Sequence, residues 1–355
     1  MKILYLDPAL SGTTSGNNST SSRIAEHWRD LGHAVTSLSV RGELPESDAQ
    51  VRKQITESDL LVALHAKHCH SILKIWHDLH KPVPLILIVS GTDLFEPLLE
   101  SGEVSNEFRW ACEEASRIVT LAGGLEEFFP ASRQQEWGTK SRVIYQGAKP
   151  VEWSCQEYDP QQAVVIGHLR AVKDPLLPVR AVELLRERLN RNQAALKDVQ
   201  LTIRHFGKML DLPLMEQVEA AQEQLASGPL RWQWNGPLSE SGIRQVMSSA
   251  PLLIMPSLHE GGANVVGEFL VSGLPVVASR VAGNTGILGE DWPALFDAGD
   301  PQALADLLLR WNQDEGFREQ ISQAAKNLAG QHDLRRERQR WGDLFRELGG
   351  SRRGN

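Results

Sequence analysis

The residues best placed to do chemistry run Met255-Pro256-Ser257-Leu258-His259-Glu260-Gly261-Gly262-Ala263-Asn264-Val265-Val266-Gly267-Glu268. A short apolar run enters a polar turn, two glycines follow, and an apolar-rich segment then begins. Gly261 and Gly262 let the backbone approach a ligand with no Cβ in the way. A helix starting near Ala263 and Asn264 leaves its first amides unpaired at the positive end of the dipole, which suits a diphosphate. Glu260 and Glu268 bracket that segment. A carboxylate repels phosphate, so each better suits sugar or ribose hydroxyls. The plainer alternative is a glycine turn with an acid on either side.

A second group is Gly167-His168-Leu169-Arg170-Ala171-Val172-Lys173-Asp174-Pro175. Arg170 and Lys173 beside a histidine can complete a diphosphate clamp, one of them stabilising the charge that builds on a leaving group. The competing reading is a solvated loop before a helix opened by Asp174-Pro175. A third group, from Asp7 to Thr20, contains Ser11, Gly12, Thr13, Gly16 and Asn17. Small donors and glycines ahead of a helix suit an anion or a sugar. The Gly-Lys-Ser/Thr of a nucleotide-triphosphate loop is missing, so ATP is not expected. Ser90-Gly91-Thr92-Asp93 offers a hydroxyl and a carboxylate, although Asp93 there also reads as a helix cap.

His65, His68, Cys69, His70, His77 and His80 crowd one stretch of the chain. No CxxC or HExxH spacing accompanies them and Lys67 and Lys74 interleave, so no metal is expected. His65 stands apart because it falls where a strand should end, a place for an acid, a base or a hydroxyl ligand.

These groups need strands to hold them. Strands are expected at residues 2–6, 35–38, 60–64, 85–89, 117–120 and 142–145, with helices between, the clearest at 21–31 and 105–115. Residues 147–160, broken by Pro150 and Pro160, read as a linker. The pattern resumes with strands at 163–167, 200–205, 231–234, 252–255 and 275–278, and helices near 176–190, 212–226, 239–248, 264–272 and 302–312. A charged helix at about 333–347 ends the pattern. Strands alternating with helices imply α/β domains with parallel sheets, and ligands gather at the carboxyl ends of such strands. Every group above follows an expected strand.

The 355 residues are too many for one ordinary core, and two domains are expected: 1–155, 156–332, a helix at 333–349 and a loose tail at 350–355. A net charge of −8 gives no general attraction to nucleic acid or an anionic membrane. Three unpaired-looking cysteines, no leader-like start and no apolar run of membrane-spanning length point to the cytoplasm. Trp28, Trp76, Trp110, Trp232, Trp234, Trp311 and Trp341 fall in regular segments and read as packing groups. Oligomeric state is left open.

The chain resembles the retaining GT-B glycosyltransferases. Their second domain carries two glutamates separated by seven residues, matched by Glu260 and Glu268, with the donor diphosphate held between and the second Glu on the ribose. They also place a basic pair after that domain's first strand. Lys173 fits one position, six residues beyond Gly167, while His168 stands where Arg is usual and Arg170 lies two further on. Which residue neutralises the diphosphate is therefore open. The resemblance implies an α/β GT-B fold, two Rossmann-like domains whose parallel sheets face a central cleft, a final helix crossing back to the first domain, and no cofactor or metal. By this reading Arg170, Lys173, Glu260 and His65 are catalytic. The donor falls to His168, Gly261, Gly262, Ala263, Asn264 and Glu268, and the acceptor to Ser11, Gly12, Thr13, Gly16, Asn17, Thr92 and Asp93.

Residues 167–175, 260–268, 279–291, 90–94 and 5–8 together are similar to the selenosugar synthase family. That likeness implies transfer from UDP-N-acetylglucosamine or UDP-glucose to the selenium of selenophosphate. Nothing in composition or spacing indicates selenium. The donor features equally serve a transferase to an oxygen acceptor, a UDP-sugar epimerase or a UDP-sugar sensor.

Overall fold

The computed structural model describes residues 1–8, 16–40, 48–152, 159–191, 198–249 and 251–350. The chain divides into two compact units, residues 1–147 with 334–355, and residues 148–333.

Unit 1 runs β1 (Lys2–Asp7), α1 (Gly16–Asp30), β2 (Ala34–Ser39), α2 (Asp48–Glu57), β3 (Leu60–Leu64), α3 (Ala66–Asp78), β4 (Leu85–Val89), α4 (Gly91–Ser101), α5 (Asn106–Glu114), β5 (Arg117–Thr120), α6 (Gln134–Lys140) and β6 (Ser141–Val143). Its strands form one sheet, ordered β2-β1-β3-β4-β5-β6, with every pairing parallel. Strands covered on both faces should be apolar throughout, and Leu60–Leu64 and Leu85–Val89 are buried at every residue. Gly32, at φ +83°, ends α1 in the left-handed turn that glycine adopts without a Cβ penalty.

Unit 2 runs β7 (Gln162–Ile166), α7 (Leu177–Asn190), β8 (Leu201–Phe206), α8 (Met215–Leu225), β9 (Leu230–Trp234), α9 (Glu240–Met247), β10 (Leu252–Met255), α10 (Asn264–Val271), β11 (Val276–Ser279), α11 (Ala282–Leu288), β12 (Leu295–Phe296), α12 (Pro301–Gln313) and α13 (Glu315–Ala329). The sheet order is β12-β11-β10-β7-β8-β9, again all parallel. Succession runs outward in opposite directions from β7 and β10, so these neighbours mark the topological switch point.

The chain then re-enters unit 1 as α14 (Leu334–Gly350). Trp341, Leu344 and Phe345 join the core of Tyr5 and Trp28, with Trp28 and Trp341 packed edge to face at 5.1 Å. Glu337 on the same helix is fully buried and accepts from Arg23 Nε (2.9 Å), His27 Nε2 (3.1 Å) and the Gly147 amide (2.8 Å). Burial pushes its carboxyl up, but Arg23, His27 and the amide outweigh that and hold it below the usual range.

The structure departs from expectation in places. β6 covers Ser141–Val143 and not 142–145, although the Ile144 amide still donates to the Thr120 carbonyl. β12, only two residues long, is too short for any periodicity, and α11 and α13 beside it had not been singled out. Asp174-Pro175 does not open a helix. A 3-10 turn occupies Ala171–Lys173, Asp174 takes φ 40°, and α7 starts at Leu177. Among the described residues, Trp28, Trp76, Trp137, Trp232, Trp311 and Trp341 are fully buried. Among the described residues, no helix is long and apolar enough to cross a membrane.

Candidate active site

In unit 2 the loops that follow β7 and β10 leave the carboxyl ends of the two switch-point strands. Their backbones meet, the Leu258 amide donating to the Val172 carbonyl at 2.9 Å. Their side chains meet too, because the Lys173 ammonium donates to Glu260 Oε2. Ser257 Oγ donates to the same oxygen at 3.3 Å, and the Gly261 amide lies 3.2 Å from the other. Glu260 is thus buried but fully engaged. Gly262 sits at φ 115° and turns the chain into α10, whose N-cap is Ala263. Asn264 and Glu268 are four apart on α10 and share a face.

A layer that the sequence reading missed lies behind the turn. Ser279 Oγ donates to the Ser257 carbonyl at 2.5 Å, and Asn284 Nδ2 donates to Ser279 O at 3.0 Å and approaches its Oγ at 3.1 Å. All three side chains are buried. A Cβ on Gly283 would come within 1.9 Å of the Glu260 carbonyl oxygen, so only glycine allows this approach. Small polar residues at the end of a buried strand were the available signal.

The β7 loop has its own support, also missed. His205 Nε2 donates to the Gly167 carbonyl at 3.1 Å, the Ala171 amide donates to Asp211 Oδ2 at 2.6 Å, and both Asp174 carboxylate oxygens lie 2.9 Å from Arg180 Nη2. His205 is buried and its pKa falls to about 4, because desolvation outweighs the carbonyl bond. His168 and Arg170 are half-buried on this loop.

In unit 1 the sheet order reverses between β1 and β3. Among the residues expected after β1, Ser11, Gly12 and Thr13 lie outside the described residues, while Gly16 and Asn17 open α1. His65 directly follows β3, at φ 78° and ψ 108°, a strained conformation for a residue with a Cβ. Its Nδ1 lies 3.1 Å from Asp93 Oδ1. Asp93 also accepts from the Ala66 amide (2.7 Å) and the Lys67 amide (3.4 Å), capping α3 from another element. With Asp93 ionised, the Nδ1 proton goes to it, and the 3.4 Å approach of the His68 amide to Nδ1 is not a hydrogen bond in that tautomer. Nε2 is then the basic nitrogen. Thr92 Oγ1 lies 3.2 Å from Ser90 Oγ, and Ser90 caps α4.

The His68 ring lies against that of His65, centroids 4.0 Å apart, while His70 and His77 turn to another partner. His70 and His77 pack on the edge of Trp110 at 5.2 and 5.7 Å. Cys69 is buried, its thiol 3.3 Å from the Leu64 carbonyl and its pKa pushed up by desolvation. Among the described residues, no three His, Cys, Asp or Glu side chains gather as a metal site.

Comparison with known proteins agrees with this fold. Over 98% of the chain and 98% of its own length, Glycosyltransferase 1 domain-containing protein 1 of Xenopus tropicalis is 26% identical. D-inositol 3-phosphate glycosyltransferase of Corynebacterium urealyticum is 26% identical over 74% of the chain and 57% of its own length. Among solved structures, Anabaena HepE in complex with UDP-glucose superposes with a TM-score of 0.73 at 19% identity, covering 98% of this chain and 100% of that one. Sucrose-phosphate synthase of Thermosynechococcus elongatus gives 0.71 at 13% identity, covering 99% of each. Residues 160–314 match the family described as Glycosyl transferases group 1. The chain has the GT-B fold.

Proposed function

We propose that the protein transfers a sugar from a UDP-sugar, UDP-N-acetylglucosamine or UDP-glucose, to the selenium of selenophosphate. One observation carries the donor half. The two loops at the switch point of unit 2 bring a cation, Lys173, and a carboxylate, Glu260, into contact beside the start of α10. In this reading the amides of Gly262, Ala263 and Asn264 take the diphosphate, Glu268 takes the ribose and Glu260 takes the sugar hydroxyls. Lys173 moves from Glu260 to the phosphate and, with Arg170, stabilises the UDP that leaves. The bond from the sugar C1 to the β-phosphate oxygen breaks, that oxygen keeping the electron pair, and a C–Se bond forms. UDP-glucose in the HepE structure supports a uridine nucleotide.

Selenophosphate rests on the likeness of residues 167–175, 260–268 and 279–291 to selenosugar synthases. As an anion it is already nucleophilic and needs orientation more than a base. An oxygen acceptor is the second reading, favoured by the His65–Asp93 pair, which is built like a proton acceptor with its orienting carboxylate. Purified protein with each UDP-sugar, with and without selenophosphate, separates them. UDP release that depends on selenophosphate, with a selenium-bearing sugar in the product mass, supports the first. Release unaffected by selenophosphate but raised by an alcohol acceptor overturns it.

A further inference from the structure

His168 occupies the position where the resembling transferases carry an arginine, yet its surroundings do not make it a substitute cation. The Lys208 main-chain amide donates to His168 Nδ1 at 3.2 Å. A ring nitrogen that accepts carries no proton, so the proton of the neutral ring sits on Nε2. Nε2 makes no hydrogen bond among the described residues. Burial disfavours the charged ring, and Lys208, Lys173 and Arg170 nearby disfavour it further, so its pKa is lowered.

The arrangement is held from below. The Leu169 amide donates to the Lys208 carbonyl at 2.9 Å, and residues 169 and 209 form a parallel bridge. A Cβ on Gly207 would come within 1.9 Å of the Gly167 carbonyl oxygen and 2.9 Å of His168 Cα. Residues 207–209 are therefore locked against 167–169, and the Lys208 amide stays on Nδ1.

We infer that His168 is a neutral hydrogen-bond donor, giving its Nε2 proton to a phosphate oxygen of the bound nucleotide while the Lys208 amide fixes its tautomer. This rests on the UDP-sugar reading above. Charge comes from the lysines and Arg170, and His168 adds direction. Lys208 is a positioning residue through its backbone.

The test uses the full chain with ¹⁵N-labelled histidine, the His168 signals being assigned by their loss in His168→Gln. The Nε2–H tautomer is expected at about pH 7, with titration below the usual histidine range of about 6.5. Titration calorimetry with UDP at neutral pH compares the variants. His168→Gln, whose amide nitrogen falls near the Nε2 position, should keep UDP affinity within about threefold, whereas His168→Ala should lose about tenfold or more. His168→Arg should bind no more tightly than the wild type. An Nδ1–H or charged ring at neutral pH in a chain that binds UDP, or wild-type affinity in His168→Ala, overturns this inference alone. Failure of the wild-type chain to bind UDP overturns the donor reading and this ligand for His168 with it, whatever the tautomer.

Discussion

The ammonium of Lys173 and the carboxylate of Glu260 meet across two loops that leave the paired strands β7 and β10. Neither group can engage a phosphate or a sugar hydroxyl without loosening its hold on the other. In the proposed reading the pair is a pre-formed charge arrangement whose partners are exchanged when a donor binds. Lys173→Ala leaves Glu260 with Ser257 and the Gly261 amide and removes the cation proposed to stabilise the leaving group. It is expected to lower kcat for UDP release by about 10²–10³-fold, the cost typical of losing one transition-state donor. Lys173→Arg should restore only part of this, since a planar fork does not reproduce a point charge. A kcat unchanged in Lys173→Ala would reduce the lysine to a prop for Glu260.

Gly283 is the contact by which the segment after β11 supports the Glu260 turn. Because the obstructing atoms are backbone, a methyl group there has to displace the turn itself. Gly283→Ala is expected to cost about 1–3 kcal/mol in stability, as overpacked sites do, and to weaken UDP binding. Ser279→Ala removes only the hydrogen bond to the Ser257 carbonyl and should give a smaller loss of both. Calorimetric melting and UDP titration on the two variants check the order. Equal UDP affinity in all three proteins would detach this layer from the site.

Much of this site was legible, and its limits have a physical pattern. The loops after β7 and β10 announce themselves locally, through glycines and the start of a helix after a buried strand. That β7 and β10 are neighbours is a property of sheet order, which no local spacing encodes. The same holds for His205 and Asp211, which matter because β8 pairs with β7 and carries them beside Gly167 and Ala171. Asp93 read as a possible cap of its own helix, and it caps instead the helix that begins 27 residues earlier. Capping across elements leaves no mark in the sequence.

His205 makes the stability of unit 2 depend on acid. Its pKa in the folded chain is about 4 against the ordinary histidine value of 6.5, so the unfolded chain binds a proton first. Above that ordinary value the ring is neutral in both states and costs nothing. As pH falls from 6.5 toward about 4, protonation increasingly favours unfolding, and below that window the penalty stays constant. The full effect is on the order of 3 kcal/mol. His205→Gln should lower stability at neutral pH, where the neutral ring costs nothing, and should lose less than the wild type as pH falls, flattening this acid limb. Urea midpoints for both proteins at neutral pH and near the folded pKa measure it. Parallel curves would mean that His205 does not titrate between the two states.

The His65–Asp93 pair decides between acceptors. His65 is buried, holds a strained backbone and presents Nδ1 to a carboxylate that two backbone amides also engage, so the ring has little freedom to turn. Such a histidine is worth about 10²–10⁴-fold as a general base, provided the acceptor has a proton to lose. Selenophosphate reacts through an anionic selenium, and His65→Gln should then lower kcat by less than about tenfold. With an alcohol acceptor the same variant should lose the larger factor. Asp93→Asn distinguishes orientation from packing, because it also weakens the cap on α3, worth about 1 kcal/mol and visible in the melting temperature. If His65→Gln abolishes transfer to selenophosphate while UDP still binds, His65 acts on the acceptor itself, and the view that selenium needs only orientation fails.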